Sequence, residues 1–210
     1  MLYFCTENIL TRNKIKQIIS DYLSRPIVIL LRKTKITPNH LTIIGVIISA
    51  ISATLISQNL MIYGGLILLL SGFFDLLDGE MARTNKQTSK SGALLDSICD
   101  RIGEILIFIG ILIYFHSKNY GMVHHLFILT SVASSGLVSY ARSKAESLNI
   151  KCTTGIMTRG ERIIVLVIAI LLEAFFPNSI FYSLILITSL SIITFTQRIS
   201  LINSNLKNNR

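Results

Sequence analysis

Apolar residues in this chain gather into long runs separated by short polar, basic connections. The runs cover residues 41–57, 63–83, 92–115, 125–144, 161–176 and 179–196. Each approaches the roughly 20 residues that an α-helix needs to cross the hydrocarbon core of a bilayer. The pattern predicts an all-α integral membrane bundle of six transmembrane helices, with no internal repeat. Thr37-Pro38-Asn39 precedes the first run. A polar residue followed by proline is a helix-start signal, because proline at the first helical position has no N–H to leave unpaired. Residues 9–30 differ: Ile15, Ile18, Ile19, Tyr22 and Leu23 interleave with Lys14, Lys16 and Arg25. This spacing predicts a short amphipathic helix lying in the membrane interface. A solvated basic arm is the plainer alternative. The expected organisation is an interfacial segment over 1–36, a six-helix domain over 37–200 and a polar tail over 201–210.

Composition supports the membrane reading. The chain has 210 residues, 51% of them hydrophobic, and a mean hydropathy of +0.61. That is too apolar for an ordinary soluble domain of this size. There is no Trp, so any interfacial aromatic belt must come from Tyr and Phe. The first ten residues are mildly apolar, but 11–25 are basic and polar without a small-residue cleavage site, which argues against a secretory signal. Cys5, Cys99 and Cys152 are far apart and show no CxxC spacing; they read as free thiols in a reducing compartment.

Charge sets the expected orientation. The net charge is +9, and of the 20 Lys and Arg residues only Lys118 lies on the side opposite the others. The positive-inside rule then places both termini of a multi-pass cell-membrane protein in the cytoplasm. The excess charge reads as topology and as contact with anionic lipid or phosphate, not with nucleic acid.

Against this background four aspartates stand out: Asp75, Asp78, Asp96 and Asp100. A carboxylate in a spanning helix costs about 2.5–3.5 kcal/mol on insertion scales. Asp75, Asp78, Gly79, Ala82 and Arg83 follow helical spacing on one stripe, and Gly92, Asp96 and Asp100 on another. The two helices are joined by a short connection, so the four carboxylates should meet near its end of the pair. Hard divalent cations such as Mg²⁺ or Mn²⁺ prefer such oxygen ligands, often together with substrate phosphate. Two ions would offset the four charges. Small residues on the same stripes would let a ligand approach closely, although helix packing in lipid uses them too. An ion carrier is the competing, non-enzymatic reading. Residues 63–74 and 105–113 hold no Asp, Glu, Lys, Arg or His, which argues against a polar path across the bilayer.

The stretch from Asp75 to Asp100 reads DxxDGxxARx8GxxxDxxxD and resembles the signature of the CDP-alcohol phosphotransferases, membrane enzymes of phospholipid synthesis. Pro38-Asn39-His40-Leu41-Thr42-Ile43-Ile44-Gly45 is similar to the family's PNxLTxxG. The resemblance implies a six-helix homodimer that takes a CDP-linked lipid from the membrane. An alcohol attacks the lipid phosphate and CMP is released. It further implies that Asp75, Asp78, Asp96 and Asp100 bind the metal ions, and that Asp100 is the base for the attacking hydroxyl. Asn39, Thr42, Gly79, Arg83 and Gly92 would contact the CDP-lipid.

Three further stretches bear on the acceptor. Leu95-Asp96-Ser97-Ile98-Cys99-Asp100-Arg101 resembles the LDSxxDR of the family's inositol-phosphate branch. Residues 139–146 resemble its SYxKARAE and residues 155–162 its GxxERxER. Here Arg142 and Lys144 exchange Lys for Arg and Arg for Lys, and Thr158 stands where Glu is common. These stretches, with Arg198 at the end of the sixth run, would bring Arg142, Lys144, Arg159, Arg162 and Arg198 to the metal side, where they suit a dianionic acceptor phosphate held through charge-assisted hydrogen bonds; positive-inside anchoring is the plainer alternative. The expected acceptor is inositol 1-phosphate, and the donor CDP-diacylglycerol or CDP-archaeol. Glycerol 3-phosphate is the alternative acceptor. A neutral amino alcohol would not need so many cations.

Overall fold

The computed structural model describes residues 28, 37–84, 89–150, 152 and 154–208. The expected amphipathic helix over 9–30 lies outside these apart from Val28. The described residues form six helices and no strand: α1 Pro38–Ser57, α2 Met61–Thr84, α3 Lys90–Ser117, α4 Met122–Ser147, α5 Arg159–Glu173 and α6 Ser179–Asn208. The all-α expectation holds, and the sequence's start signal is used as read, with Pro38 at the first position of α1.

Four of the six, α1, α2, α4 and α6, are long and apolar enough to cross a membrane. The other two depart from the simple six-span expectation for separate reasons. In α3, Asp96, Asp100, Arg101 and Glu104 crowd the first half and leave a shorter apolar stretch behind them. α5 has 15 residues, about 22 Å at 1.5 Å per residue, against roughly 30 Å of hydrocarbon. It ends at Glu173, short of Phe176, because the chain there turns back and Glu173 serves the next helix. Its carboxylate accepts the amide N–H groups of Asn178 (3.1 Å) and Ile180 (2.8 Å) and the Tyr114 hydroxyl (3.2 Å). At the other extreme α6, with 30 residues, continues through the stretch expected as a polar tail. Ile202 there packs with Ala145, Ile150 and Cys152.

Three helices end by one device. Ser57-Gln58-Asn59, Ser117-Lys118-Asn119 and Ser147-Leu148-Asn149 each place Asn at positive φ, 64°, 56° and 58°. The next residue donates back into the helix: Leu60 to Leu55, Tyr120 to Phe115 and Ile150 to Ala145, at 2.9–3.0 Å. Each Asn amide donates to the residue three before it. These are Schellman stops, with Asn in the left-handed position usually held by Gly.

The chain forms two compact units. The first comprises Met1–Ile51 and Ile67–Leu106, the second Ser52–Leu66 and Ile107–Arg210. In the first, Leu41, Leu77 and Met81 form a buried apolar cluster with Val28. Ser49 and Ser71 join α1 to α2 through a 2.7 Å hydroxyl pair, and the Ser71 hydroxyl lies 2.9 Å from the Gly45 carbonyl. In the second unit α4 presents Ser131, Ser134, Ser135, Val138, Ala141 and Ala145 on one buried face. Small residues of this kind let helices approach closely in lipid. The Ser131 hydroxyl reaches Thr188 at 2.8 Å and the Leu184 carbonyl at 3.2 Å on α6. Gly110 lies so near α1 that a Cβ there would stand 2.5 Å from the Ala53 carbonyl oxygen.

Candidate active site

Both acidic helices lie, over the relevant turns, in the first unit. α2 carries Asp75 and Asp78 three residues apart, and α3 carries Asp96. One carboxylate oxygen from each lies within 4.8 Å of the others. Asp78 is buried, at 5% exposure, and the other two are half-buried. Like charges at that separation repel by roughly 3.5 kcal/mol per pair at an effective dielectric of about 20. Three oxygen donors converging in this way are the donor set of a hard divalent cation. Asp100 follows Asp96 by one turn, is half-buried, and is not one of the close trio.

Asp78 is fixed from α1. The Thr42 hydroxyl, itself buried, donates to Asp78 Oδ2 at 2.6 Å, and the Thr42 oxygen lies 3.1 Å from the Pro38 carbonyl. The sequence resemblance placed Thr42 near a ligand; its contact in the structure is with a candidate metal ligand. Asn39 and Gly92, expected on one ligand, do come together: a Cβ at Gly92 would stand 3.4 Å from Asn39 Oδ1. Gly92 also lies in the first turn of α3, where its N–H donates to Ser89 Oγ at 2.9 Å. Ser89 therefore caps α3, and the helix begins at Lys90, not at Gly92.

Arg83 folds back along α2 over Gly79, where a Cβ would be 3.9 Å from its guanidinium nitrogens. Its Nη2 pairs with Glu80 at 3.0 Å; Glu80 is buried while Arg83 is 66% exposed. Arg101 and Glu104 repeat this i,i+3 pairing on α3 at 3.0 Å, again with the acid buried. Neither glutamate was singled out from sequence, although the three-residue spacing to an arginine was there to be read.

The five predicted cations lie in the second unit and separate by burial. Arg142 and Lys144, at the end of α4, are exposed, and Arg142 pairs with Glu146 at 2.9 Å. Arg159 opens α5 and is half-buried. Arg162 is fully buried and Arg198 is 3% exposed. Arg198 donates from Nη1 to the Val138 carbonyl on α4 at 2.6 Å and from Nε to the Thr154 carbonyl at 2.9 Å. It thus joins α4, α6 and the loop before α5. Arg162 Nη1 lies 3.5 Å from the Met157 carbonyl. Thr158, where the resembling branch often has Glu, is the residue before α5. Its N–H donates to Glu161 at 2.8 Å, and its hydroxyl contacts the same carboxylate. The substitution is accommodated as a helix start of the capping-box type.

Sequence reasoning missed Thr194. It is fully buried on α6, and its hydroxyl oxygen accepts the N–H groups of Ile156 (3.1 Å) and Met157 (2.9 Å). Its only sequence signal is its place four residues before Arg198 on the same helix face.

Comparison with known proteins bears on what this arrangement is. Residues 35–196 match the family described as CDP-alcohol phosphatidyltransferase. The archaetidylinositol phosphate synthase of Pyrococcus horikoshii is 37% identical over 165 residues, 78% of this chain and 82% of that protein. The crystal structure of phosphatidylinositol phosphate synthase from Mycobacterium tuberculosis with CDP-DAG bound is similar in fold, with a TM-score of 0.78. It is 28% identical, across 86% of this chain and 93% of that one. The same enzyme in complex with manganese and citrate gives a TM-score of 0.78 at 27% identity, over 86% and 88% of the two chains. The matched region takes in the four candidate aspartates and all but Arg198 of the five predicted acceptor-side cations. This membrane protein therefore belongs to the CDP-alcohol phosphatidyltransferase family and is a CDP-alcohol phosphotransferase.

Proposed function

We propose that the chain transfers a phosphatidyl or archaetidyl group from a CDP-linked lipid to 1-myo-inositol 1-phosphate, releasing CMP. The acceptor hydroxyl oxygen forms the new bond to the lipid-bearing phosphorus, and the bond from that phosphorus to the CMP oxygen breaks. The observation that carries the reading is the trio of Asp75, Asp78 and Asp96, with oxygens within 4.8 Å and Asp78 fixed by Thr42. A divalent metal ion, Mg²⁺ or Mn²⁺ and in our reading two of them, neutralises the diphosphate and stabilises the departing oxygen when bound there. Manganese in a complex of the similar mycobacterial enzyme supports this.

Asp100 takes the proton from the attacking hydroxyl in this scheme. A base must come within hydrogen-bond reach of that proton. Arg83 holds a donor phosphate, with Asn39, Gly79 and Gly92 beside the CDP portion. Arg142, Lys144, Arg159, Arg162 and Arg198 supply positive charge for the acceptor phosphate. Inositol phosphate is favoured by the names of the similar enzymes and by Leu95-Asp96-Ser97 with Asp100-Arg101. The proposed topology is multi-pass, with both termini and the acidic site cytoplasmic, and the proposed assembly is a homodimer.

The test is CMP release by purified protein in detergent, with CDP-diacylglycerol or CDP-archaeol as donor and Mg²⁺ or Mn²⁺ present. Inositol 1-phosphate, glycerol 3-phosphate, free inositol and serine are offered singly. Release with inositol 1-phosphate alone is the expected result. Release only with another acceptor would keep the aspartate chemistry and overturn the acceptor assignment. Asp100→Asn should lose turnover while CDP-lipid binding survives; retained turnover would remove Asp100 as the base.

A further inference from the structure

We infer that Thr194 is a positioning residue for the acceptor side of the reaction, acting through the loop of residues 154–158. The inference rests on the proposed role of Arg159 and Arg198 in holding the acceptor phosphate. The loop is tied down along its length. Its amides at Ile156 and Met157 both donate to the Thr194 hydroxyl oxygen, at 3.1 and 2.9 Å. Its Thr154 carbonyl accepts Arg198 Nε at 2.9 Å, and Thr158 N–H donates to Glu161 at 2.8 Å. Thr194 and Arg198 are one turn apart on α6, so one helix face grips the loop twice.

The contact is close enough to dictate the loop sequence. Gly155 has φ +134°, a conformation open to glycine and strained for other residues. A Cβ there would lie 2.4 Å from Thr194 Cγ2 and 3.5 Å from Arg198 Nε and Nη2. The loop backbone therefore lies against both the threonine methyl and the guanidinium. It then runs through Thr158 directly into Arg159. Arg159 and Arg198, two of the proposed phosphate cations, are thus referenced to the same few backbone atoms, and Thr194 holds those atoms. Removing the hydroxyl takes an acceptor from both amides, and the buried Met157 N–H bears the larger cost.

The experiment compares Thr194→Val and Thr194→Ser with wild type, using inositol 1-phosphate and the CDP-lipid as varied substrates. Thr194→Val should raise KM for inositol 1-phosphate about tenfold, as expected for two lost hydrogen bonds, and leave KM for the CDP-lipid unchanged. Thr194→Ser should restore the wild-type value. Hydrogen exchange at Ile156 and Met157 should quicken in the valine variant and not in the serine variant. An unchanged acceptor KM in a valine variant with faster exchange overturns the inference, as does an equal rise in both KM values. Failure of the wild type itself to use inositol 1-phosphate would instead sink the proposed function and this inference with it.

Discussion

Thr42 and Asp78 are 36 residues apart in the chain, and the threonine hydroxyl donates to the carboxylate at 2.6 Å. The bond occupies one lone-pair position of Asp78 Oδ2, leaves Oδ1 open, and holds the side chain from a neighbouring helix. Partners of metal ligands are typically worth 10–100-fold in metal affinity or activity. Thr42→Val should therefore weaken the apparent affinity for the activating metal by about 10–100-fold, and Thr42→Ser should recover most of it. A metal titration of CMP release reads both. Equal metal dependence in the valine variant would show that the contact does not orient the ligand.

Removing the metal should matter to the fold as well as to turnover. Three carboxylate oxygens within 4.8 Å repel one another, so the empty site is a strained one. EDTA should abolish CMP release and lower the melting temperature, and Mg²⁺ or Mn²⁺ should restore both. Asp78→Asn should melt higher than wild type in EDTA, because one repelling charge is gone, yet gain nothing from added metal. A melting temperature indifferent to EDTA in the wild type would contradict this account.

Glu80 is buried and holds the exposed Arg83 at 3.0 Å. Glu80→Gln keeps the shape and removes the charge. Loss of an ion pair with one exposed partner, about 1 kcal/mol at most, should raise KM for the CDP-lipid by up to roughly fivefold, with KM for the acceptor unchanged. A shift in the acceptor KM instead would place Arg83 on the other substrate.

Glu173 is a stability residue. Its carboxylate accepts Asn178 N–H, Ile180 N–H and the Tyr114 hydroxyl. Glu173→Ala should destabilise the protein by about 2–3 kcal/mol, since buried donors are left unpaired, with little change in either KM. Thermal unfolding in detergent measures it. A variant as stable as wild type would mean that water replaces the carboxylate there.

Legibility from sequence followed the range of the interaction. Asp75, Asp78 and Asp96 could be brought together on paper because spacings of three along one helix and a short connection to the next leave them few other places. The approach of Asn39 to Gly92 was carried by the motif resemblance. Thr42 was different: nothing local says whether a hydroxyl on one helix faces a ligand or a carboxylate. Arg162 and Arg198 were read by charge and by place in the chain, and a buried arginine bonded to carbonyls has the same sequence as one exposed to substrate. Thr194 carried almost no signal, because its partners are main-chain amides, which have no sequence identity. The ends of α1, α3 and α4, by contrast, were readable and went unread in three Ser-X-Asn repeats.

Those repeats have a consequence for the protein in membranes of different composition. A helix that ends where the bilayer ends can gain or lose a turn as the bilayer thickens or thins. A helix closed by Asn59, Asn119 or Asn149, with its terminal carbonyls already bonded, has its length written into the chain. For α1 and α4, the two of these helices long and apolar enough to cross a membrane, adaptation to a thicker or thinner host must then come from tilt and from local deformation of lipid, so they behave as rulers that lean.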